Sequence, residues 1–251
     1  MKRLFFLAVL ALLCALLCPG FAEEAPQAFT SGDYRYTLLP GGGAEITKYT
    51  GNAADLTVPA QLDGYSVRRI GDRAFSRCSS LASITLPEGL QSIGNYAFYR
   101  CISLSFISLP EGLQTIGADA FSSCNSLTSI TLPEGLQNIG EAAFYGCKSL
   151  ASITLPEGLE SIGDEAFSRC SSLTSITLPD GLQSIGDIAF YGCSSLTSIT
   201  LPEGLKSIGN DAFNGCDNLE LTVVRDSYAH RWAEENEYDY IFPDSYDWLL
   251  E

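Results

Sequence analysis

Residues 81–104 read LASITLPEGLQSIGNYAFYRCISL, and this pattern returns every 23 positions through the middle of the chain. Ile-Gly stands at Ile70, Ile93, Ile116, Ile139, Ile162, Ile185 and Ile208. Ala-Phe follows each in fixed register, at Phe75, Phe98, Phe121, Phe144, Phe167, Phe190 and Phe213. A cysteine comes three residues later, from Cys78 to Cys216, and a leucine three after that, from Leu81 to Leu219. Seven coincident registers identify a solenoid, in which no coil can bury its own apolar face and stability comes from neighbours.

The physics of one coil follows from alternation. Ile84 and Leu86 share one face of a strand, while Ser83 and Thr85 share the other. Pro87 cannot donate to a ladder and closes the strand, and Gly89 is read as the permissive residue of the turn. Leu90 and Ile93 then return to the core. Between Gly71 and Cys78 the apolar positions fall three to four apart, which predicts a single helical turn on the outer side. Stacking such coils produces a phenylalanine column, a thiol column and aliphatic columns.

The pattern Leu-x-x-Ile-x-Leu-Pro-x-x-Leu-x-x-Ile-Gly-x-x-Ala-Phe-x-x-Cys resembles the BspA-like leucine-rich repeats of bacterial surface and secreted proteins, over about residues 70–219. The resemblance implies an α/β-type repeat solenoid, with stacked parallel strands on one side, short helical turns on the other and a cap at each end. It also implies adhesion outside the cell, to host, matrix or other-cell macromolecules. The matching residues are core residues, so they carry over a fold and no binding residue.

Outside the repeats the chain divides into three parts. Lys2 and Arg3 precede an apolar run from Leu4 to Leu17, with Gly20 and Ala22 beyond it. These are the parts of a secretory signal peptide over residues 1–22, cut near Ala22; the run is short for a membrane span. Residues 23–69 form a β cap in which Tyr34–Leu38 and Glu45–Tyr49 flank Pro40-Gly41-Gly42-Gly43 as a hairpin. Residues 70–218 hold the seven repeats, the last partial. Residues 219–251 are a C-terminal cap: a last strand at Leu221–Val224, a helix begun by Asp226 or Ser227 with Tyr228, Ala229, Trp232 and Ala233 on one face, and an acidic tail.

Charge and composition narrow the function. The chain carries 14 Lys and Arg against 30 Asp and Glu, a formal net charge of −16, and one histidine. So acidic a surface excludes nucleic acid and anionic lipid as partners, and a lone His230 removes most acid–base and metal chemistry. No Gly-x-Ser-x-Gly elbow or strand-to-helix phosphate loop occurs, so no catalytic residue, metal or cofactor is assigned. Seven cysteines remain after the leader, an odd number at one repeat position, and are read as buried thiols rather than disulfides or a zinc site. Glu88, Glu111, Glu134, Glu157, Asp180 and Glu203 form an acidic column, read as a solvated rim, with weak calcium binding as the sharper alternative.

The candidate binding residues line the outward strand face: Ser83, Thr85, Phe106, Thr131, Thr154, Thr177 and Thr200. Phe106 interrupts the Ser-x-Thr ladder, which argues against the flat array of an ice-binding solenoid. On the outer side Tyr99, Tyr145 and Tyr191 recur every 46 residues and stand either as interface anchors or as packing against the next coil. The expected function is non-catalytic binding of an extracellular protein or glycoprotein. Self-association as a surface scaffold and carbohydrate-directed binding are the alternatives.

Overall fold

The computed structural model describes residues 27–243. The signal-peptide reading and the acidic tail from residue 244 lie outside the described residues. The chain opens with β1 (Ala28–Ser31), β2 (Tyr34–Leu38) and β3 (Ala44–Tyr49), an antiparallel meander that includes the expected hairpin. β4 (Asp55–Thr57), β5 (Gln61–Leu62) and β6 (Tyr65–Ile70) follow, and β3 pairs parallel with β6 to join the meander to the repeats.

Each coil then contributes a strand of three residues and a strand of two. These are β7 (Ser83–Thr85) with β8 (Ser92–Ile93), β9 (Phe106–Ser108) with β10 (Thr115–Ile116), and β11 (Ser129–Thr131) with β12 (Asn138–Ile139). β13 (Ser152–Thr154) and β14 (Ser161–Ile162) continue the series; the next coil forms only its second strand, β15 (Ser184–Ile185). β16 (Ser198–Thr200), β17 (Ser207–Ile208) and β18 (Glu220–Thr222) complete it. Helix α1 (Tyr228–Glu235) and β19 (Tyr240–Ile241) close the described chain. Ser227 caps α1, its side chain accepting from the His230 N–H at 3.1 Å.

The core is the expected set of columns. Phe75 to Phe213 stack with successive centroids 5.1–5.5 Å apart and rings within 15° of parallel. Tyr49 stacks on Phe75 at one end, and Trp232 meets Phe213 edge-on at the other. Cys101 through Cys216 are buried, and Cys78 is half-buried. Each buried thiol donates to the carbonyl of the phenylalanine one coil back, Cys147 Sγ to Phe121 O at 3.2 Å for example. Burial pushes the Cys101 and Cys170 thiols up to about 12, and Cys124 and Cys147 well above their usual range.

Three expectations are corrected. The outer segment is a run of turns and not a helical turn, because alternate N–H groups leave the coil. Arg73, Phe75 and Arg77 donate to the carbonyls of Asn95, Ala97 and Tyr99 in the next coil, so i→i+4 bonds cannot form. The residues at positions 73 and 77 of every coil are left-handed, with φ of 56° at Arg73 and 63° at Arg77. That conformation costs a non-glycine residue about 1–3 kcal/mol, and in the first six coils the intercoil bonds of those same residues offset it. Gly89 and its equivalents have no positive φ. The glycines that matter follow the isoleucines: a Cβ on Gly163 would lie 2.8 Å from the Ile139 carbonyl and 2.9 Å from the Glu141 nitrogen. Lastly, strands occupy two sides of the coil. The second, two-residue strands, each ending in isoleucine, join β6 in one ladder, β6-β8-β10-β12-β14-β15-β17, continuous with the N-terminal meander.

Candidate binding surface

The outward strand face holds the residues singled out above. Ser83 and Thr85 lie on β7, Phe106 on β9, Thr131 on β11, Thr154 on β13 and Thr200 on β16. Thr177 follows Ser175, whose only pairing is an isolated bridge to Ser198. Register brings hydroxyls together where Thr85 opposes Ser108 and Thr131 opposes Thr154, while Ser83 opposes the Phe106 ring position. Thr85, Phe106, Thr131, Thr154, Thr177 and Thr200 are exposed, and Ser83 and Ser108 are half-buried.

This face is not one sheet. It falls into β4-β7-β9, β11-β13 and β16-β18-β19, with breaks on either side of the β11-β13 pair. Leu86 N–H reaches the Ser108 carbonyl and Leu132 N–H the Thr154 carbonyl, but no such bond joins Leu109 to Thr131 among the described residues. A depression of about 300 Å³ opens there, lined by Phe106, Ser108, Leu109, Glu111, Ser129, Thr131 and Pro133. Phe106 is 56% exposed at its edge, and Ile102, on the same coil, is 46% exposed. The most apolar exposed group of the face thus sits where the ladder is open.

The tyrosine column is packed in part and exposed in part. Ser122 and Ser168, which alternate with the tyrosines, are only 2% and 1% exposed. Tyr99 meets Tyr96 edge-on and Arg169 lies over Tyr145, leaving Tyr191 the one exposed member. In the acidic column, the Glu134 carboxylate accepts the Glu157 N–H at 3.2 Å. Among the described residues no three His, Cys, Asp or Glu side chains converge as metal ligands.

Sequence reasoning passed over a second feature, the distribution of charge. Residues 27–100 hold seven basic and six acidic side chains, whereas residues 101–224 hold three basic and fourteen acidic. On the turn face Arg73 lies over the Tyr96 ring at 4.8 Å, beside exposed Arg77 and Arg100. Asp119, next to Tyr96, pushes that phenol above its usual value. Counting charge by segment, rather than over the whole chain, would have exposed this asymmetry.

Comparison with known proteins agrees with the geometry. The family model for the BspA type leucine rich repeat region matches residues 48–171 and 114–230, in 6 copies. A leucine rich repeat protein of T. pallidum is 33% identical, with a TM-score of 0.73, over 86% of this chain and 98% of its own. A leucine rich cell surface protein from Faecalibacterium prausnitzii is 27% identical, with a TM-score of 0.51, over 80% of this chain and 77% of its own. No curated protein matches. With the family matched over most of its length and a solved relative of the same architecture, the chain belongs to the BspA-type leucine-rich-repeat proteins.

Proposed function

We propose that the chain is exported, loses residues 1–22 after Ala22, and acts outside the cell as a non-catalytic adhesion protein. Its ligand is an extracellular protein or glycoprotein of a host, matrix or neighbouring cell, bound on the outward strand face. The observation that carries this reading is Phe106: a large apolar side chain, 56% exposed, beside an opening in a face otherwise lined by hydroxyls. An aromatic anchor ringed by short polar groups has the make-up of a protein-binding hot spot. Family membership and the surface location named for the F. prausnitzii relative support it. Among the described residues no helix is long and apolar enough to cross a membrane. The meander and α1 serve as caps over the first and last coils.

Saturable binding of residues 23–251 to immobilised matrix proteins, mucin and whole cells tests the proposal. Binding that Phe106→Asp weakens about tenfold or more, with thermal stability unchanged, is the expected result. Binding that is indifferent to Phe106 and to lysines at Thr131, Thr154 and Thr177 would remove this face from consideration. A second reading, self-assembly into a surface scaffold, draws on the charge gradient along the axis; a monomer in sedimentation at high concentration argues against it.

A further inference from the structure

The turn face is stitched by a bond pattern that the last coil leaves unfinished. At each of the six coil junctions, three N–H groups at alternate residues donate to three carbonyls of the next coil; Ile188, Phe190 and Gly192 reach Asn210, Ala212 and Asn214 at 2.7–2.9 Å. The equivalent N–H groups of Asp211, Phe213 and Gly215 have no acceptor among the described residues. They line a cleft of about 650 Å³ between the last coil and the loop after α1. Trp232 and Tyr238 take the place of the next phenylalanine over Phe213, so the aromatic column is closed while the backbone row stays open. Asp211, Asp217, Glu237 and Asp239 rim the cleft, all exposed, and no Lys or Arg lines it.

We propose that this edge captures a basic peptide segment of a partner protein, one that offers carbonyls at alternate residues as a following coil would. Main-chain bonds to the three donors hold the segment, and the four carboxylates select Lys or Arg at its flanks. Two other occupants fit less well. The chain's own residues 244–251 bring Asp244, Asp247 and Glu251 and no cation to an acidic rim. The first coil of a second copy cannot stack here as a coil, since Tyr49 already lies on Phe75 and donates its N–H to the Ala74 carbonyl. The site is separate from the strand face and does not depend on it.

Amide exchange followed by NMR on residues 23–251 reads the three donors directly. The probe is a blocked octapeptide with the sequence of residues 71–78 and C78S, which carries Arg73 and Arg77 in a segment that has the coil's own acceptor spacing. In the free, dilute chain Asp211, Phe213 and Gly215 exchange fast while Ile188, Phe190 and Gly192 are protected. Millimolar peptide slows the three about tenfold. The same peptide with both arginines replaced by glutamate does not, and D211N with E237Q in the protein weakens binding about fivefold. The proposal falls if the three amides are already slow in the dilute chain, whether deletion of 244–251 releases them or not. It falls equally if they slow with protein concentration alone, if no peptide binds at millimolar concentration, or if the charge-reversed peptide binds as well.

Discussion

The turn face and the outward strand face arise from the same seven repeats, yet one is tied at every junction and the other is broken twice. On the turn side, three backbone bonds, a phenylalanine pair and, from the second coil on, a thiol bound to a carbonyl join each coil to its neighbour. At the corner after each isoleucine, glycine lets one backbone close on the next. On the strand side the outward groups are Ser and Thr, which need no neighbour, so a local change in one coil can open the ladder without unfolding it. Phe106 for Ser and Ser108 for Thr occur in the coil that borders the first break. A repeat protein can thus keep a rigid spine while one face accumulates differences.

The widest gap between the faces should appear at high pH. The Cys101 and Cys170 thiols remain protonated in the fold up to about 12, against 9.0 for an unburied thiol, and burial raises Cys124 and Cys147 in the same direction. As pH rises through about 9 the unfolded state releases protons that the folded state keeps, so stability falls by about 1.4 kcal/mol per pH unit for each such thiol. Urea midpoints therefore hold below pH 9 and drop steeply from about pH 9 to 11. A flat profile would mean that the thiol column is open to solvent. Disulfide-forming reagents at neutral pH should label Cys78 first and the other six only on unfolding.

Single substitutions grade the spine. Phe144→Ala removes a fully buried ring stacked at 5.4 and 5.5 Å on its neighbours, and is expected to cost about 3–5 kcal/mol in denaturant unfolding. Gly163→Ala presses a methyl group onto backbone atoms under 3.0 Å away, with an expected cost of about 1–3 kcal/mol. Gly158→Ala, in the Pro-Glu-Gly turn, meets only the Glu134 carbonyl at 3.6 Å, and should be neutral or stabilising by up to about 1 kcal/mol. Equal costs at the two glycines would erase the distinction between the tight corner and the slack turn.

The period, the phase of the core and the burial of the thiols were legible because each depends on residue types that recur in register. The second strands of the coils were not: two residues carry no alternation, and only the neighbouring coil turns Ser92–Ile93 into a strand. The outer turns were misread for a related reason. Spacings of three and four suit a helix, but intercoil bonds hold Arg73, Tyr96 and Ile188 in left-handed backbone that their side chains disfavour. Among site residues, Phe106 stood out as the one aromatic in a Ser column. The break beside it, and the unpaired donors at Asp211, Phe213 and Gly215, are properties of how coils meet, and no single repeat encodes them.

The smallest effect on stability should belong to Phe106, the residue proposed as the anchor for binding. Phe106→Ser restores the residue that the other coils carry at that position and exposes no new apolar surface. Its unfolding free energy should therefore lie within about 0.5 kcal/mol of the parent. If the break between β9 and β11 follows from the phenylalanine, the variant also pairs there, and amide exchange across Leu109 to Thr131 slows. Exchange that stays fast would assign the break to the backbone of that coil as a whole, and Phe106 would then be a side chain placed beside an opening it did not make.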